Sequence, residues 1–540
     1  MRRICCALER FACDNKHMLE SPSESLDTAE CADDRAALLE AQNTHLRAGI
    51  LSRDQRIRLL EEALRLLRSS TYGPSRERLK VAAGQAELFN EIEASLDIVE
   101  AVGLEPELKA TPLREEKPST GRPGRAKLAA HLLRVEVRHE LSIAERQCGC
   151  GTTLTEIGSE VSEQIDYVTA KVQVLRHIRV KYACPGCDQC VRTAALPEHI
   201  LPKTNAAPGL LAHLVTSKYV DSLPLYRQEA MFERYGVRLP RATQAAWMIG
   251  LTLPLTPLLN LMDERLRESG YVRIDETRVQ VLNSDKAPSA LHWMWVRVAG
   301  PQHRRIILFN YDASRGGEVA DGLIEGCTGY LQSDGYQAYE GVSARAGLVH
   351  VGCMAHARRR FFEALKALPD AQRKQLSAAH EAVRRIDALY LIERQIKNLS
   401  DAERTRIRQE EALPQLTSLH NWASTLQHET LPSGKLGEAI GYLLTQWPKL
   451  VRYIEDPRLA IDTNLAENSI RPFALGRRNW LFASTVKGAQ ASAALYSIVS
   501  TARANGLEPY AYLRRLFAEL PKAKTVEDFE ALLPFNTLPV

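Results

Sequence analysis

The sequence predicts a multidomain α+β protein, on three observations. Leucines and isoleucines recur at heptad spacing over residues 35–68, five of the 11 cysteines crowd into residues 148–190, and beyond residue 263 strand-like runs alternate with helices before a long charged helical stretch splits them. A chain of 540 residues can bury several separate cores. Its 45% hydrophobic and 25% charged content is that of a soluble protein. A net charge of +4 does not identify a nucleic-acid partner, so local basic patches have to. No apolar run is long enough to span a bilayer, and "MRRICCALERFACDNKH" is broken by Glu9, Arg10 and Asp14 before a signal-type apolar run develops. The expectation is a cytoplasmic protein with no membrane partner.

Taken in order, residues 1–34 have no periodicity and read as a disordered extension, with Met18 as a second possible start. Residues 35–103 read as a helical, leucine-zipper-like module. Leu39, Leu46, Leu60 and Leu67 fill one heptad position, with Arg53 as the exception, and Asn43, Ile50, Ile57 and Leu64 fill the other. Leucine at d, isoleucine at a and one asparagine at a favour a parallel two-stranded coiled coil; a helix packed on its own chain is the alternative. Residues 104–140, with "KPSTGRPGRAK", read as a basic linker. In the 141–198 domain "CGCG" supplies Cys148 and Cys150, and "KYACPGCDQC" supplies Cys184, Cys187 and Cys190. Two close thiolate pairs across a strand-rich segment suit a zinc-ribbon-like knuckle with a closed, structural Zn²⁺; Cys190 stays a fifth candidate, and reduced core cysteines are the alternative. Residues 199–262 read as a helical connector broken by prolines.

The next stretch, 263–365, contains "YVRIDETRVQVL", "LHWMWVRVAG" and "RRIILFNYDAS", then a helix, the strand "GYLQSDGYQAY", a helix and the strand "LVHVGCM". Three strands, helix, strand, helix, strand is the order of an RNase H-like α/β core. Asp275 interrupts a strand covered on both faces, where an ionised carboxylate needs a compensating partner; Asp334 ends the fourth strand beside a glycine. Residues 366–454 fit no strand and read as a helical insertion. After it, 455–505 resumes the core with "IDTNLAENSIRPFALGRRNWLFAST", which presents Glu467 on a helix; 506–540 is a carboxy-terminal helical segment. Three carboxylates suit two-metal phosphoryl transfer with Mg²⁺ or Mn²⁺. From Asn468 to Ala489 there are four basic residues, Arg471, Arg477, Arg478 and Lys487, and no acid, with Phe473, Trp480 and Phe482 interleaved, a mixture suited to phosphates and exposed bases.

The texts "KYACPGC", "KYVDSLPLYRQEAMFERYGV", "IDETRVQVL", "LQSDGYQAY", "GCMAHARRRFFEA", "IDTNLAENSIRPFALGRRNWLFAS" and "ANGLEPYAYLRRLF", in this order over residues 35–535, resemble the transposases of the bacterial insertion sequence sixty-six family. The resemblance implies a DDE transposase with catalytic Asp275, Asp334 and Glu467 and zinc ligands Cys148, Cys150, Cys184 and Cys187. It implies double-stranded DNA as partner, both element ends and target, a homodimer or higher assembly, and accessory proteins of the same element. Arg358, Arg359 and Arg360 of the matched "GCMAHARRRFFEA" join Arg471, Arg477, Arg478, Trp480 and Lys487 as DNA-binding candidates. The chain departs from the family pattern at Thr463 and Asn468, where asparagine and arginine are usual. The competing functions are a zinc-dependent DNA-binding protein that has lost catalysis and an RNase H-like nuclease without strand transfer.

Overall fold

The computed structural model describes residues 32–72, 172–178, 180–183, 191–193, 197–336, 338–345, 347–373 and 375–537. The expectations for residues 1–31, for 73–140 and for Cys148, Cys150, Cys184, Cys187 and Cys190 lie outside these residues. The chain divides into two compact units, 107–196 and the remainder. In the smaller unit β1 (Lys181–Ala183) pairs antiparallel with β2 (Val191–Thr193), with Tyr182 opposite Arg192.

In the larger unit α1 (Ala32–Tyr72) is one uninterrupted helix of 41 residues. Its heptad leucines and isoleucines, Leu39, Leu46, Ile50, Ile57, Leu60, Leu64 and Leu67, are between 45% and 61% exposed, so the other described residues leave about half of this stripe uncovered. The carboxy-terminal turns are tied down by polar contacts: Arg65 Nη1 donates to Ala367 O at 2.9 Å, and Glu62 Oε2 accepts from Lys435 N at 3.0 Å.

The connector forms α2 (Pro208–Tyr219), α3 (Leu225–Arg234), α4 (Arg241–Gly250) and α5 (Thr252–Arg267). Pro208 opens α2, and Pro224 and Pro240 immediately precede the next two helices, where a missing N–H costs nothing. Among the described residues no single helix is long and apolar enough to cross a membrane.

A mixed sheet follows from β3 (Tyr271–Asn283), β4 (Leu291–Ala299), β5 (Ile306–Asp312), α6 (Gly317–Ile324), β6 (Tyr330–Gln332), α7 (Ala338–Arg345) and β7 (Val349–Val351), the order expected from the sequence. Its spatial order is β5-β4-β3-β6-β7. β3, β4 and β5 form an antiparallel meander, while β6 and β7 run parallel to β3 after helical crossovers. Tyr271, Val272, Arg273 and Ile274 are buried in succession, as a central strand covered on both faces requires.

α8 (Met354–Ala367) leads into the insertion, α9 (Ala378–Ile396), α10 (Asp401–Ile407), α11 (Leu413–Glu429) and α12 (Lys435–Leu450), which has its own apolar core around Val383, Ile386, Leu419 and Leu443. Arg408 is fully buried there; it forks onto Glu393 and donates to the carbonyls of Tyr453, Asp456 and Leu459, which compensates its charge. The chain returns to the sheet through α13 (Asn464–Trp480) and β8 (Ala483–Thr485), and β8 pairs parallel with the far end of β3 at Val281 and Asn283. Alanine-rich α14 (Val486–Ala504) then lies on β5. Ser497 and Thr501 accept from Phe309 N and Ile307 N at 2.8 and 3.0 Å, which satisfies an edge strand that would otherwise offer free N–H groups. α15 (Pro509–Glu519) and α16 (Val526–Leu532) complete the unit.

Candidate active site

The three predicted acids come from three elements. Asp275 sits in the middle of β3, Asp334 lies two residues beyond the end of β6, and Glu467 is in the first turn of α13. Glu467 and Asp334 both act electrostatically on Asp275. The Asp275 carboxyl is held well above the usual carboxylate range, chiefly by burial and then by the charges of Glu276, Glu467 and Asp334; the hydrogen bond from Glu276 N at 2.9 Å opposes this only in part.

Each acid is fixed by its surroundings. Asp334 Oδ1 accepts from Tyr336 N at 3.0 Å, an Asx-turn that aims the chain away from β6. A Cβ on Gly335 would lie 2.6 Å from the hydroxyl oxygen of Tyr442 and 2.8 Å from its Cε2, so α12 presses on this turn where only glycine fits. α13 is latched to the sheet through Tyr271 and Gln332. The Tyr271 hydroxyl donates to Gln332 Oε1 and accepts from Ala460 N at 3.1 Å, while Gln332 Nε2 donates to Ala460 O at 2.8 Å. Asp462 holds both the backbone and the side chain of Asn464 at the start of the helix.

Glu276, next to Asp275, has a different environment. Its side chain is 2% exposed, Arg315 grips Oε1 with Nε at 2.7 Å and Nη2 at 2.5 Å, and the Tyr339 hydroxyl donates to Oε2. A carboxylate so engaged has few lone pairs left for a ligand.

Two residues that sequence reasoning quoted without assigning a role meet Glu467. Cys353 and His356, spaced C-x-x-H at the start of α8, place ligand atoms with one of Glu467 all within 4.8 Å of each other. Glu467 Oε1 and His356 Nδ1 are 3.7 Å apart, and both atoms are buried without a hydrogen-bond partner. Buried lone pairs left open in this way fit a bound cation. Arg359 lies against the same pair, with Nη2 3.4 Å from Glu467 Oε2 and Nη1 3.4 Å from His356 Nε2. Cys353 Sγ accepts from Thr463 N and Oγ1 at 3.3 and 3.2 Å, and burial first, then Asp462 and Glu467, pushes its thiol up to about 12. Thr463 is therefore a packing partner of Cys353.

The basic candidates separate. Arg358 is a correction: it is 3% exposed and forked onto Asp387 at 2.7 and 3.1 Å, so it cannot reach a phosphate. Arg360 is exposed, over the Tyr442 ring at 4.1 Å. Arg478 and Lys487 are exposed, while Arg471 and Arg477 are half-buried. Trp480 packs edge-on against Phe473 with Lys218 over its ring, and Phe473 is wholly buried.

A sheet that gathers acids from distant segments, with basic helices beside them and paired cysteines upstream, is a transposase-type assembly. The comparisons give the family. The profile described as Transposase IS66 family matches residues 203–491, more than half of the chain, and the chain belongs to that family. Further profiles match in chain order: Transposase C of IS166 homeodomain over 59–137, the zinc-finger binding domain of transposase IS66 over 145–188, and the IS66 C-terminal element over 497–535. The zinc-finger match spans Cys148, Cys150, Cys184 and Cys187. Among relatives, the uncharacterized protein y4qI of Sinorhizobium fredii is 31% identical over 94% of both chains. The uncharacterized protein y4hP of the same organism is 29% identical over 88% of both.

Proposed function

We propose that this member of the family is an active DDE-type enzyme on an RNase H-like core, which cuts DNA at element ends and joins the freed ends to target DNA. The observation that carries this is the buried carboxyl of Asp275 in the middle of β3, held well above the usual carboxylate range by burial and by the charges of Glu276, Glu467 and Asp334, an environment that a bound cation would relieve. The carboxylate oxygens of the three acids would suit Mg²⁺ or Mn²⁺, and Glu467 Oε1, buried without a hydrogen-bond partner beside His356 Nδ1, would be one of the atoms that hold the ion. Bound divalent ions would supply charge neutralisation at the phosphate and favour in-line displacement.

The chain's own residues do the rest. Asp275 and Asp334 face the reacting phosphate from the sheet, and Glu467 closes the site from α13. Arg315 and Tyr339 keep Glu276 out of the set. Arg477, Arg478 and Lys487 draw the DNA backbone towards α13. In the cut, a water oxygen bonds to phosphorus as the P–O3′ bond of the same strand breaks, leaving a free 3′-hydroxyl on one side and a 5′-phosphate on the other; in joining, that 3′-hydroxyl loses its proton and bonds to a target phosphorus as the target's own 3′ oxygen leaves. The smaller unit carries a structural Zn²⁺ on Cys148, Cys150, Cys184 and Cys187, and α1 pairs two copies of the chain through its exposed stripe. Such an enzyme works on DNA in the bacterial cytoplasm.

The test is cleavage and joining of labelled element-end DNA with Mg²⁺ or Mn²⁺, with binding measured in Ca²⁺. Asp275→Asn, Asp334→Asn and Glu467→Gln should each lower both reactions about a thousandfold or more while end binding persists. Near wild-type rates in Glu467→Gln would remove it from the triad and point to Asp462 instead.

A further inference from the structure

α13 ends in an unusual turn. Leu481 has φ 64° and ψ −52°, and Phe482 N donates to Trp480 O at 2.8 Å, closing a three-residue γ-turn of the positive-φ kind. Glycine would adopt this conformation freely, whereas a leucine is strained in it, and strain of this sort persists where the surroundings hold it in place. Here both sides are held. Before the turn, Asn479 Nδ2 donates to Ser222 O at 3.1 Å and Trp480 is packed on Phe473. After it, β8 is paired with β3, and Asn283 Nδ2 donates to Ser484 O at 2.9 Å.

What the turn presents is apolar. Leu481 is 64% exposed and Phe482 39% exposed, two consecutive large side chains facing solvent from a rigid mount. Their surroundings are cationic: Arg478 and Lys487 are exposed on either side, and the stretch from Asn468 to Ala489 holds no acid. Arg477, close by, is held below the usual arginine range by burial and by the charges of Arg478 and Arg278, so cations gather on this part of the surface. Cations around an apolar tip match a polyanion whose interior is apolar, which is a description of stacked DNA.

We infer that Leu481 and Phe482 form a wedge that enters a base step of duplex DNA near the cut site, unstacking it while Arg478 and Lys487 hold the flanking phosphates. The inference rests on the DNA-acting reading above. The wedge leaves from the helix that carries Glu467 and returns along the strand that carries Asp275, so the distortion and the chemistry share one frame.

The experiment uses the full-length chain and a duplex of the element's own terminal sequence with 2-aminopurine placed at successive positions across the cut site, in Ca²⁺ so that no cutting occurs. Wild-type protein should raise fluorescence about threefold or more at one or two adjacent positions, and so should Asp275→Asn and Phe482→Trp. Leu481→Gly, which relieves the backbone while removing the side chain and so should fold at least as well, and Phe482→Ala should abolish the rise, with binding by anisotropy weakened about tenfold or less. An unchanged rise in both variants, or no rise in a wild-type protein that binds and cuts the duplex, overturns the wedge and leaves the enzyme reading intact. Loss of self-association in the variants, with the fluorescence rise kept, assigns the tip to a protein interface and also overturns it. Failure of wild-type protein to bind end DNA at all overturns the DNA-acting reading itself.

Discussion

At the scale of single residues, adjacent and chemically similar side chains have opposite fates. Asp275 is left with repulsion, while Glu276 is closed off by Arg315 and Tyr339. Glu276→Gln should therefore lower stability by about 1–3 kcal/mol, read as a shift in urea midpoint, because Arg315 loses a buried partner, yet slow cleavage only several-fold. Lys218 allows a pH test. Its ammonium sits over the Tyr219 and Trp480 rings at 5.5 and 5.2 Å, which favours the charge, but burial dominates and lowers its pKa from 10.5 to about 8. Between these values the unfolded chain binds more protons than the native one, so this residue's penalty is full below pH 8 and fades as pH rises to 10.5. Wild-type stability should gain on Lys218→Met over that window, measured as the difference in urea midpoint at pH 7.5 and 10. The arginine triplet was legible only in part. Helical period puts Arg358 on one face with Met354, Phe361 and Leu365, which are all buried, whereas Arg359 and Arg360 fall off it; a basic run weighed as composition alone hides that difference.

At the scale of elements, local pattern carried far. Six of the 13 residues of β3 are β-branched or aromatic, and the strand is where they predict it; proline positions mark the starts of the first three connector helices. The C-x-x-H of α8 was in plain view, but its partner Glu467 is more than a hundred residues away, and spacing cannot say which distant acid a pair will meet. The α1 stripe is a case where sequence and structure together make a sharper test than either. Because Leu46 and Leu60 are 61% and 57% exposed, replacing both with Lys removes little packing against the other described residues. The double variant should keep the wild-type melting temperature of the α/β core yet sediment as a monomer at a micromolar concentration at which the wild-type chain should sediment as a dimer. Equal masses for the two proteins would show that the stripe does not pair copies of the chain.

At the scale of the whole molecule, the strand order is local information, but closure of the fold is not. The insertion of 366–454 must return Ala460 to Tyr271 and Gln332, and Met354 N to Ile461 O, before Glu467 can approach the sheet acids, and these bonds between remote segments have no signature in the sequence. The division into two compact units has an energetic consequence. The larger unit has extended apolar cores of its own, whereas the smaller one, residues 107–196, matches a zinc-finger domain at 145–188, about half of its length, and small metal-bound domains take much of their folding free energy from the metal. Chelation strong enough to strip zinc should therefore melt one unit and spare the other. In differential scanning calorimetry of the full chain, the chelated protein should lose a minor transition while the main one keeps its midpoint within about 2 °C, a shift that corresponds to about 1–2 kcal/mol for a unit of this size. Cys148→Ser or Cys187→Ser should reproduce the loss without chelator, since three ligands hold a structural ion far less well than four. Cys353→Ser, in the larger unit, should leave the minor transition in place. Concerted loss of both transitions on chelation would mean that zinc supports the α/β core as well, and that the two units do not fold independently.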